Sequence, residues 1–425
     1  MTILKLLHRN LHLVRQVHAQ SREYLTMEEM LKKIPKFLVP VTEKVVLDPS
    51  QVPRSQEALP KRSMRDSFCE VIVPFGSNPD LHKRYLSPIG WVRIGRLLED
   101  MDIFAVWVGL HHLLDMKAIK TRPLPYNLVT ALVDQIRFVH GRISPDRDLR
   151  LSGHVSYVGK SSLEVSLALH QFGEKPHPWN LITHAWFVMV LRDAVLDRAV
   201  PANPLKPASD LELKLYNQGK NNALRRMTDT EESLLRKPPT EQEHFIIHDL
   251  FLRTLNPEKH TFQSRVRPPG YIWMEDAKLK KVVICHLEDR NQMGKIFSGF
   301  IMRQAFELAW SNAYVVCRQA PTIEFIDNIW FRRPVEVGSL LYMASQVVFT
   351  EGHRMQVRVC AQVVDPESGK QEETNTFYFT FVVSKEVDQM LPRAYHESML
   401  YLEGRRHFVS RSDRQEEEYC GLDVP

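Results

Sequence analysis

The chain contains an internal duplication, and this feature limits its possible folds more than any other. In the first half, VTALVDQIRF (129–138) is followed by further β-branched segments and then by the aromatic segment HAWFVMVLRD (184–193). In the second half, PTIEFIDNIWF (321–331) leads in the same way to TFYFTFVVSK (376–385), at an offset of about 193 residues. Self-similarity over so much of a 425-residue chain predicts two copies of one structural unit rather than a single large core.

Each copy has a short strand-like segment, at 67–75 or 278–287, then a long apolar segment and then further segments typical of strands. The apolar segments, 91–115 and 296–315, predict two helices. The segments after them are β-branched and aromatic with turn residues between, which predicts three or four antiparallel strands per copy. One helix covering one face of an antiparallel sheet is the hot-dog arrangement. We therefore predict an α+β fold, a tandem double hot-dog in which one continuous antiparallel sheet wraps two long central helices.

Composition marks the parts of the chain that lie outside the two units. The region between the copies is polar and rich in proline, with helices predicted near 210–226 and 240–254. The segment after the second copy is charged, and we expect it to be mobile. The predicted divisions are a first hot-dog domain, a partly helical linker, a second hot-dog domain and a charged tail, at 60–210, 211–256, 257–401 and 402–425 respectively.

The N-terminal segment has an unusual charge distribution. Residues 1–22, MTILKLLHRNLHLVRQVHAQSR, contain four Lys or Arg residues, and no acidic residue occurs before Glu23. Apolar residues recur there at helical spacing, so one side of a helix would be apolar and the rest basic. This pattern is typical of a mitochondrial presequence, although a surface helix with a basic face is the alternative. It predicts a mitochondrial protein, in the matrix or associated with the inner membrane.

Overall composition excludes several classes of protein. The net charge of +5 suits an anionic small-molecule substrate but is far from typical of nucleic-acid binding. No stretch approaches the roughly 20 apolar residues of a membrane-spanning helix. The cysteines form no Cys-x-x-Cys pair and the eighteen histidines show no ligand spacing, so we predict no metal, no cofactor and a reducing compartment. The cysteines are Cys69, Cys285, Cys317, Cys360 and Cys420.

The second copy contains a recognisable motif where its helix begins. The segment NQMGKIFSG (291–299) has the pattern Asn-x-x-Gly-x-x-x-x-Gly. This resembles the loop-and-helix signature of hot-dog acyl-coenzyme A thioesterases, and with the duplication and the basic N-terminus it resembles their mitochondrial members over about residues 60–410. The resemblance implies that the chain hydrolyses fatty acyl-CoA to free fatty acid and CoA. It also implies further assembly into homo-oligomers, often trimers.

The two copies differ at the position where this family usually has its acidic residue, seven after the last glycine. In the second copy the last glycine is Gly299, and the acid position holds Phe306. In the first copy the corresponding glycine is Gly95, and the acid position holds Asp102. The alternative acid is Glu307, which would reach its cleft if the second helix began one residue later. The resemblance thus assigns the carboxylate to the first copy.

The amide of the signature shows the opposite difference. Asn291 stands eight residues before the second-copy glycine, whereas the first copy has Ser87 at that place. Paired hot-dog domains bind substrate in clefts between them, with helix residues from both partners. One cleft would therefore hold Asp102 opposite Asn291, and the other would hold Phe306 opposite Ser87. We predict that only the first cleft is catalytic.

The pattern of the first helix supports a functional Asp102. In RIGRLLEDMDIFAVWVGL, Asp102 falls on the side that should cover the sheet, where a carboxylate loses hydration unless it has partners. Glu99 and Asp100 are better placed to be solvated. The alternative is that Asp102 is one more surface charge.

Thioester hydrolysis requires a base or nucleophile and donors for the oxyanion. Asp102 would deprotonate a water or attack the thioester carbon directly. The backbone N–H groups at the start of the second helix, near Gly299, would stabilise the oxyanion. Asn291 would orient the water or hold the carbonyl; alternatively, it caps the loop at Gly294.

A predicted hairpin supplies candidate contacts for CoA. Lys160, Ser161 and Ser162 follow Gly159 between two strand-like segments. Their cation, hydroxyls and amides would suit pantetheine or phosphate, although a plain turn with a solvated lysine is an equal alternative.

Two other functions compete with hydrolysis. A hot-dog hydratase or dehydratase would need a catalytic Asp and His together, and neither helix region provides that pair. A non-catalytic acyl-CoA-binding or scaffold protein would explain the loss of signature residues from one cleft.

Overall fold

The computed structural model describes most of the two repeats and the segments between them. It covers residues 25–34, 53–114, 126–138, 143–173, 179–193, 198–229, 236–256, 264–291 and 294–413, with four further residues between these ranges. The predicted presequence at 1–22 lies outside the described residues. None of the helices in the described chain combines the length and apolarity needed to span a bilayer.

The described chain contains helices and strands in alternating groups. The helices are α1 (Met27–Lys33), α2 (Met64–Ser67), α3 (Pro79–Tyr85), α4 (Ile94–Leu113), α5 (Asp210–Asp229), α6 (Glu241–Arg253), α7 (Ser298–Cys317) and α8 (Tyr395–Asp413). The strands are β1 (Leu25–Thr26), β2 (Cys69–Val73), β3 (Tyr126–Val133), β4 (Ile136–Phe138), β5 (Leu149–Val158), β6 (Ser162–Phe172), β7 (Trp179–Asp193), β8 (Tyr271–Trp273), β9 (Lys278–Ile284), β10 (Thr322–Ile326), β11 (Ile329–Trp330), β12 (Leu340–Glu351), β13 (Arg354–Val364), β14 (Gln371–Val382) and β15 (Gln389–Leu391).

Thirteen strands of the described chain form one sheet that runs through both repeats. The order is β1-β2-β5-β6-β7-β4-β10-β14-β13-β12-β9, and β3 pairs with both β7 and β11. The repeats join where β4 and β10 pair antiparallel, with Phe325 opposite Arg137. A separate two-stranded pair, β8 and β15, lies outside this sheet. The α+β class predicted from the sequence is confirmed.

The two halves share local irregularities as well as strand order. The pairing of β3 with β7 shifts between Thr130 and Leu132. The pairing of β10 with β14 shifts in the same way between Ile323 and Phe325. A bulge at the same place in both halves fixes the structural correspondence of single residues. Thr130 in the first half therefore corresponds to Ile323 in the second.

Helices α4 and α7 pack against each other in antiparallel directions through two glycines. A Cβ on Gly95 would lie 3.2 Å from Arg303 Cγ, and one on Gly299 would lie 2.9 Å from Glu99 Cα. The absence of a side chain at each glycine lets the backbones approach this closely. Both helices were predicted from the sequence, at 91–115 and 296–315, and their observed ends lie within a few residues of those bounds.

The predicted mobile tail is wrong over its first part. Residues 402–413 belong to α8, which packs on β12 and buries Leu402 and Phe408. A Cβ on Gly404 would lie 2.5 Å from Val348, so this helix rests directly on the sheet. The charged composition of the segment suggested a solvated tail, but Arg406 donates to Glu243 of α6 at 2.7 Å. Residues 414–425 lie outside the described chain.

Candidate active site

Asp102 lies at the centre of α4, where its side chain is completely buried. Its carboxylate accepts a hydrogen bond from Thr130 Oγ1 of β3 at 2.7 Å and another from the hydroxyl of Ser298, the first residue of α7. The backbone N–H of Gly299 is a third donor. Three donors from two repeats thus converge on one buried carboxylate, as buried charges require.

Burial and these hydrogen bonds act in opposite directions on the carboxyl group. Burial raises the pKa of Asp102 to about 6, and the donors Ser298, Thr130 and Gly299 oppose the rise because they favour the charged form. The group is therefore mainly ionised at pH 7 and above, yet it is more basic than an exposed aspartate. These are the properties that general-base catalysis near neutral pH requires.

Gly299 stands in the first turn of α7, where backbone N–H groups have no partner within the helix. The helix dipole makes this end favourable for negative charge. Because Gly299 lacks a side chain, α7 can lie against Glu99 of α4, and this contact brings Ser298 onto Asp102. The structure therefore brings together two of the predicted catalytic residues, Asp102 and Gly299.

Asn291 has a local role in the loop before α7. Its Oδ1 accepts a hydrogen bond from the backbone N–H of Lys295 at 3.1 Å, and its carbonyl accepts one from Gly294 at 3.1 Å. Gly294 has a φ of 73°, which favours glycine. The side-chain carbonyl is thus engaged in the turn, so a contact of Asn291 with substrate would be made through the Nδ2 donors.

The corresponding loop of the first repeat has the same turn. Ser87 Oγ accepts a hydrogen bond from the backbone N–H of Trp91 at 3.2 Å, and Gly90 has a φ of 75°. Bridges close both loops at matching positions, Leu86 with Val92 and Arg290 with Ile296. Serine can thus replace asparagine as the cap while removing the amide donors.

The second cleft contains a cavity of about 830 Å³ beside Ser87 and Phe306. Glu307 lies in its wall, where its carboxylate forms a salt bridge with Arg93. This charge pair is partly exposed, unlike the buried Asp102. Glu307, the alternative catalytic acid, therefore lies in the second cleft and has a cationic partner there.

The expectation that Asp100 is solvated is wrong. Asp100 is completely buried, accepts a hydrogen bond from Tyr85 Oη at 2.6 Å and lies 3.6 Å from Arg96. Burial raises its pKa to about 6. The reason is that α4 is covered on a second side by the segment that carries Tyr85. Glu99 is also mostly buried, with Arg96 and Arg303 as ion-pair partners.

Thr130 and Ser298 were not predicted from the sequence as residues of the site. The two copies differ at both positions. Ile323 of the second copy corresponds to Thr130, and Ile94 of the first copy corresponds to Ser298. Each position has a hydroxyl in the first cleft and a hydrocarbon in the second, which is the same direction of change as Asp102 to Phe306.

The hairpin between β5 and β6 lies in the same part of the sheet as the carboxylate. Lys160 is exposed at its tip. Leu163, the second residue of the return strand β6, pairs with Met189, and Met189 pairs with Thr130. Two strand spacings, about 10 Å, therefore separate the hairpin from the Asp102 partner Thr130.

Metal ligation has no candidate within the part of the chain that the structure describes. No group of three or more His, Cys, Asp or Glu side chains there is arranged to hold an ion. Asp102 has hydroxyl and amide donors around it, which suit an anion and not a cation.

Comparison with known proteins assigns the family. No family model matches the chain. Acyl-coenzyme A thioesterase 9, mitochondrial, of Mus musculus is 44% identical over 363 residues, 85% of this chain and 82% of that protein. The Homo sapiens protein of the same name is 44% identical over 360 residues, 84% and 81%. Acyl-coenzyme A thioesterase 2, chloroplastic, of Humulus lupulus is 33% identical over 353 residues, 80% and 78%. Identity at this level over most of both chains shows that this chain belongs to the acyl-coenzyme A thioesterase family.

Proposed function

We propose that the chain hydrolyses acyl-CoA thioesters to free fatty acid and CoA, in one working cleft built from both repeats. The observation that carries this proposal is the buried Asp102 carboxylate, bound by Ser298, Thr130 and the backbone N–H of Gly299. Relatives that cover most of the chain are named as acyl-coenzyme A thioesterases.

The chemistry follows from the groups around Asp102. The carboxylate takes a proton from a water that attacks the thioester carbon, and the tetrahedral oxyanion then collapses with loss of the CoA thiolate, which receives the proton from Asp102. In the second route the carboxylate itself attacks the thioester carbon and expels the CoA thiolate, giving an anhydride that water opens to the fatty acid and free Asp102. In both routes the N–H groups at the start of α7 stabilise the oxyanion, and Asn291 Nδ2 orients the water or the carbonyl. Single turnover in water labelled with heavy oxygen separates the routes, because only the anhydride route can leave label in Asp102.

The proposed architecture is a tandem double hot-dog. The strand order is mirrored about the β4–β10 junction, and α4 and α7 lie antiparallel against each other. In this arrangement each cleft receives the start of one helix and the middle of the other. The proposed domains remain 60–210 and 257–401, with α8 added to the second.

Binding of the CoA moiety is proposed for the β5–β6 hairpin. Lys160 supplies a cation for phosphate, and Ser161 and Ser162 supply hydroxyls for pantetheine. The support is that Leu163, directly after these residues, lies two strand spacings, about 10 Å, from Thr130, and the pantetheine arm is long enough to cover such a distance.

The resemblance to hot-dog thioesterases implies a homo-oligomer, and the mitochondrion is the proposed site of action. The support is the basic, acid-free segment 1–22 together with relatives named as mitochondrial. A reporter fused to residues 1–22 should enter mitochondria, and replacing Arg9 and Arg15 with Glu should stop import because the apolar face survives while the charge reverses. A wild-type fusion that stays in the cytosol would contradict this proposal.

Release of free thiol from acyl-CoA, followed with a thiol-reactive dye, tests the function directly. Purified protein should release thiol from at least one of a short, a medium and a long acyl-CoA, and heat-denatured protein should not. Absence of release from all three would favour the alternative role, a non-catalytic acyl-CoA-binding or scaffold protein.

A further inference from the structure

The cavity in the second cleft has the size of a ligand site. Its volume of about 830 Å³ lies within the range of roughly 300–1,000 Å³ found for small-molecule pockets. Both repeats contribute to its walls: Pro88 and Trp91 come from the loop before α4, and Phe306 and Trp310 come from α7. These walls are mainly apolar, so the cavity suits an apolar ligand.

The cavity is lined by the residues that replace the polar groups of the first cleft. The positions of Ser298, Asp102 and Thr130 are occupied in the second cleft by Ile94, Phe306 and Ile323, and all three replacements lie in the cavity wall. Three hydrogen-bonding groups have thus been exchanged for hydrocarbon at one place. This exchange removes catalytic groups and at the same time creates an apolar surface.

The backbone of the second cleft is the same as that of the first. The Ser87 loop has the same turn as the Asn291 loop, with a glycine at positive φ in each. Gly95 lies in the cavity wall in the first turn of α4, as Gly299 lies in the first turn of α7. The cleft therefore has the helix start and glycine that admit a thioester, without a carboxylate at the acid position.

Glu307 does not restore that carboxylate. Its side chain forms a salt bridge with Arg93, which also donates to the Arg84 carbonyl at 3.3 Å. The Glu307 carboxylate is bound by this guanidinium, whereas Asp102 is bound by neutral hydroxyl donors. The Arg93–Glu307 pair thus forms a polar rim beside an apolar cavity.

We propose that the second cleft binds the acyl chain of an acyl-CoA and does not hydrolyse it. This inference rests on the proposed function, since acyl-CoA is the ligand of the corresponding first cleft. The protein then holds two acyl chains per polypeptide, one that is cleaved and one that is retained.

Binding stoichiometry tests the proposal. The probe is S-dodecyl-CoA, a thioether that cannot be hydrolysed, titrated into the full-length protein by calorimetry. We expect two equivalents per chain for the wild type. The cavity is then filled by Ser311→Phe, since Ser311 lies in its wall and its hydroxyl donates to the Glu307 carbonyl at 2.7 Å.

The matched control is Ser311→Ala, which removes the hydroxyl without filling the cavity. Ser311→Phe should lose one equivalent, and Ser311→Ala should keep the wild-type number. If Ser311→Phe binds as many equivalents as the wild type, the proposal is overturned. If Ser311→Phe does not fold, as judged by its thermal unfolding, Ser311→Leu replaces it as a smaller filling side chain under the same criterion.

Two further titrations identify the part of the ligand that the cavity binds. CoA alone should not occupy the site that Ser311→Phe removes, and occupation by CoA alone would overturn an acyl-chain site. Dodecanoic acid should occupy it because the cavity walls are mainly apolar, and absence of binding there would contradict an acyl-chain site. Failure of the proposed function is distinguishable: the wild type would then release no thiol from acyl-CoA, while the loss of one equivalent in Ser311→Phe would stand.

Discussion

At the scale of single residues, Asp102 combines complete burial with three hydrogen-bond donors. Its folded pKa of about 6 lies above the ordinary value of 3.8. Between these two pH values the folded state binds more protons than the unfolded state, so this group's contribution to stability falls as pH rises from about 4 to about 6. A carboxylate that lowers stability at neutral pH points to a role in function.

The first prediction concerns the pH dependence of turnover. Because the ionised form of Asp102 is the base or nucleophile, kcat/KM should rise with pH, reach half of its plateau near pH 6 and level off above that value. Thiol release measured from pH 5 to pH 8 with a stable acyl-CoA checks this. A rate that is constant through that interval would contradict the assignment of a group with this pKa to the reaction.

The second prediction concerns Thr130, which donates to Asp102 at 2.7 Å. Thr130→Val keeps the side-chain shape and removes a donor that favours the charged carboxylate, so the rising limb of the pH profile should move to higher pH and kcat/KM at pH 6 should fall. Thr130→Ser keeps the hydroxyl and should keep the wild-type profile. An unchanged profile in Thr130→Val would show that the contact is structural only.

At the scale of elements, the central helices and the main strands could be predicted because their apolar periodicity is local. The packing of α5 and α8 could not be predicted in this way. Gly219 of α5 would place a Cβ 2.6 Å from Tyr157, so α5 rests on β5 much as α8 rests on β12. The polar contacts of these helices involve partners far away in the sequence, and local composition therefore made their segments resemble a linker and a tail.

The third prediction tests whether α5 is part of the fold. Arg226 donates to Asp134 at 2.9 Å and to Glu164 at 2.8 Å, and all three are buried. Arg226→Leu leaves buried carboxylates without this guanidinium, so the free energy of unfolding should fall by about 3–5 kcal/mol, as for other broken buried pairs. Urea unfolding measures the change.

The control for that prediction is an exposed ion pair on α6, the helix that follows α5 in the chain. Arg253 and Asp249 lie 2.8 Å apart on α6 with both side chains more than half exposed. Arg253→Leu should change stability little, because exposed pairs contribute little. Equal effects of the two substitutions would show that α5 does not contribute to the core through Arg226.

At the scale of the whole molecule, the first cleft is made by neither repeat alone. The meeting of Asp102 with Gly299 could be predicted, because the resemblance to paired hot-dog domains implied clefts that receive helix residues from both copies. Asp100 was misassigned because burial of a second face of α4 depends on Tyr85, which sequence periodicity does not show. The cavity in the second cleft could not be predicted, because it depends on how Trp91 and Trp310 pack. From the sequence, the apolar Phe306 at the acid position indicated only that this cleft had lost catalysis.

The central claim, that the cleft containing Asp102 is the working one, is tested most directly by two substitutions assayed in parallel. Asp102→Asn keeps the shape and removes the base, so kcat for thiol release should fall by at least the ~100-fold typical of lost general-base catalysis. Its stability at pH 7 should not fall, because the buried charge is removed. Glu307→Gln should retain most of the turnover. If Glu307→Gln loses activity and Asp102→Asn keeps it, the working cleft is the other one.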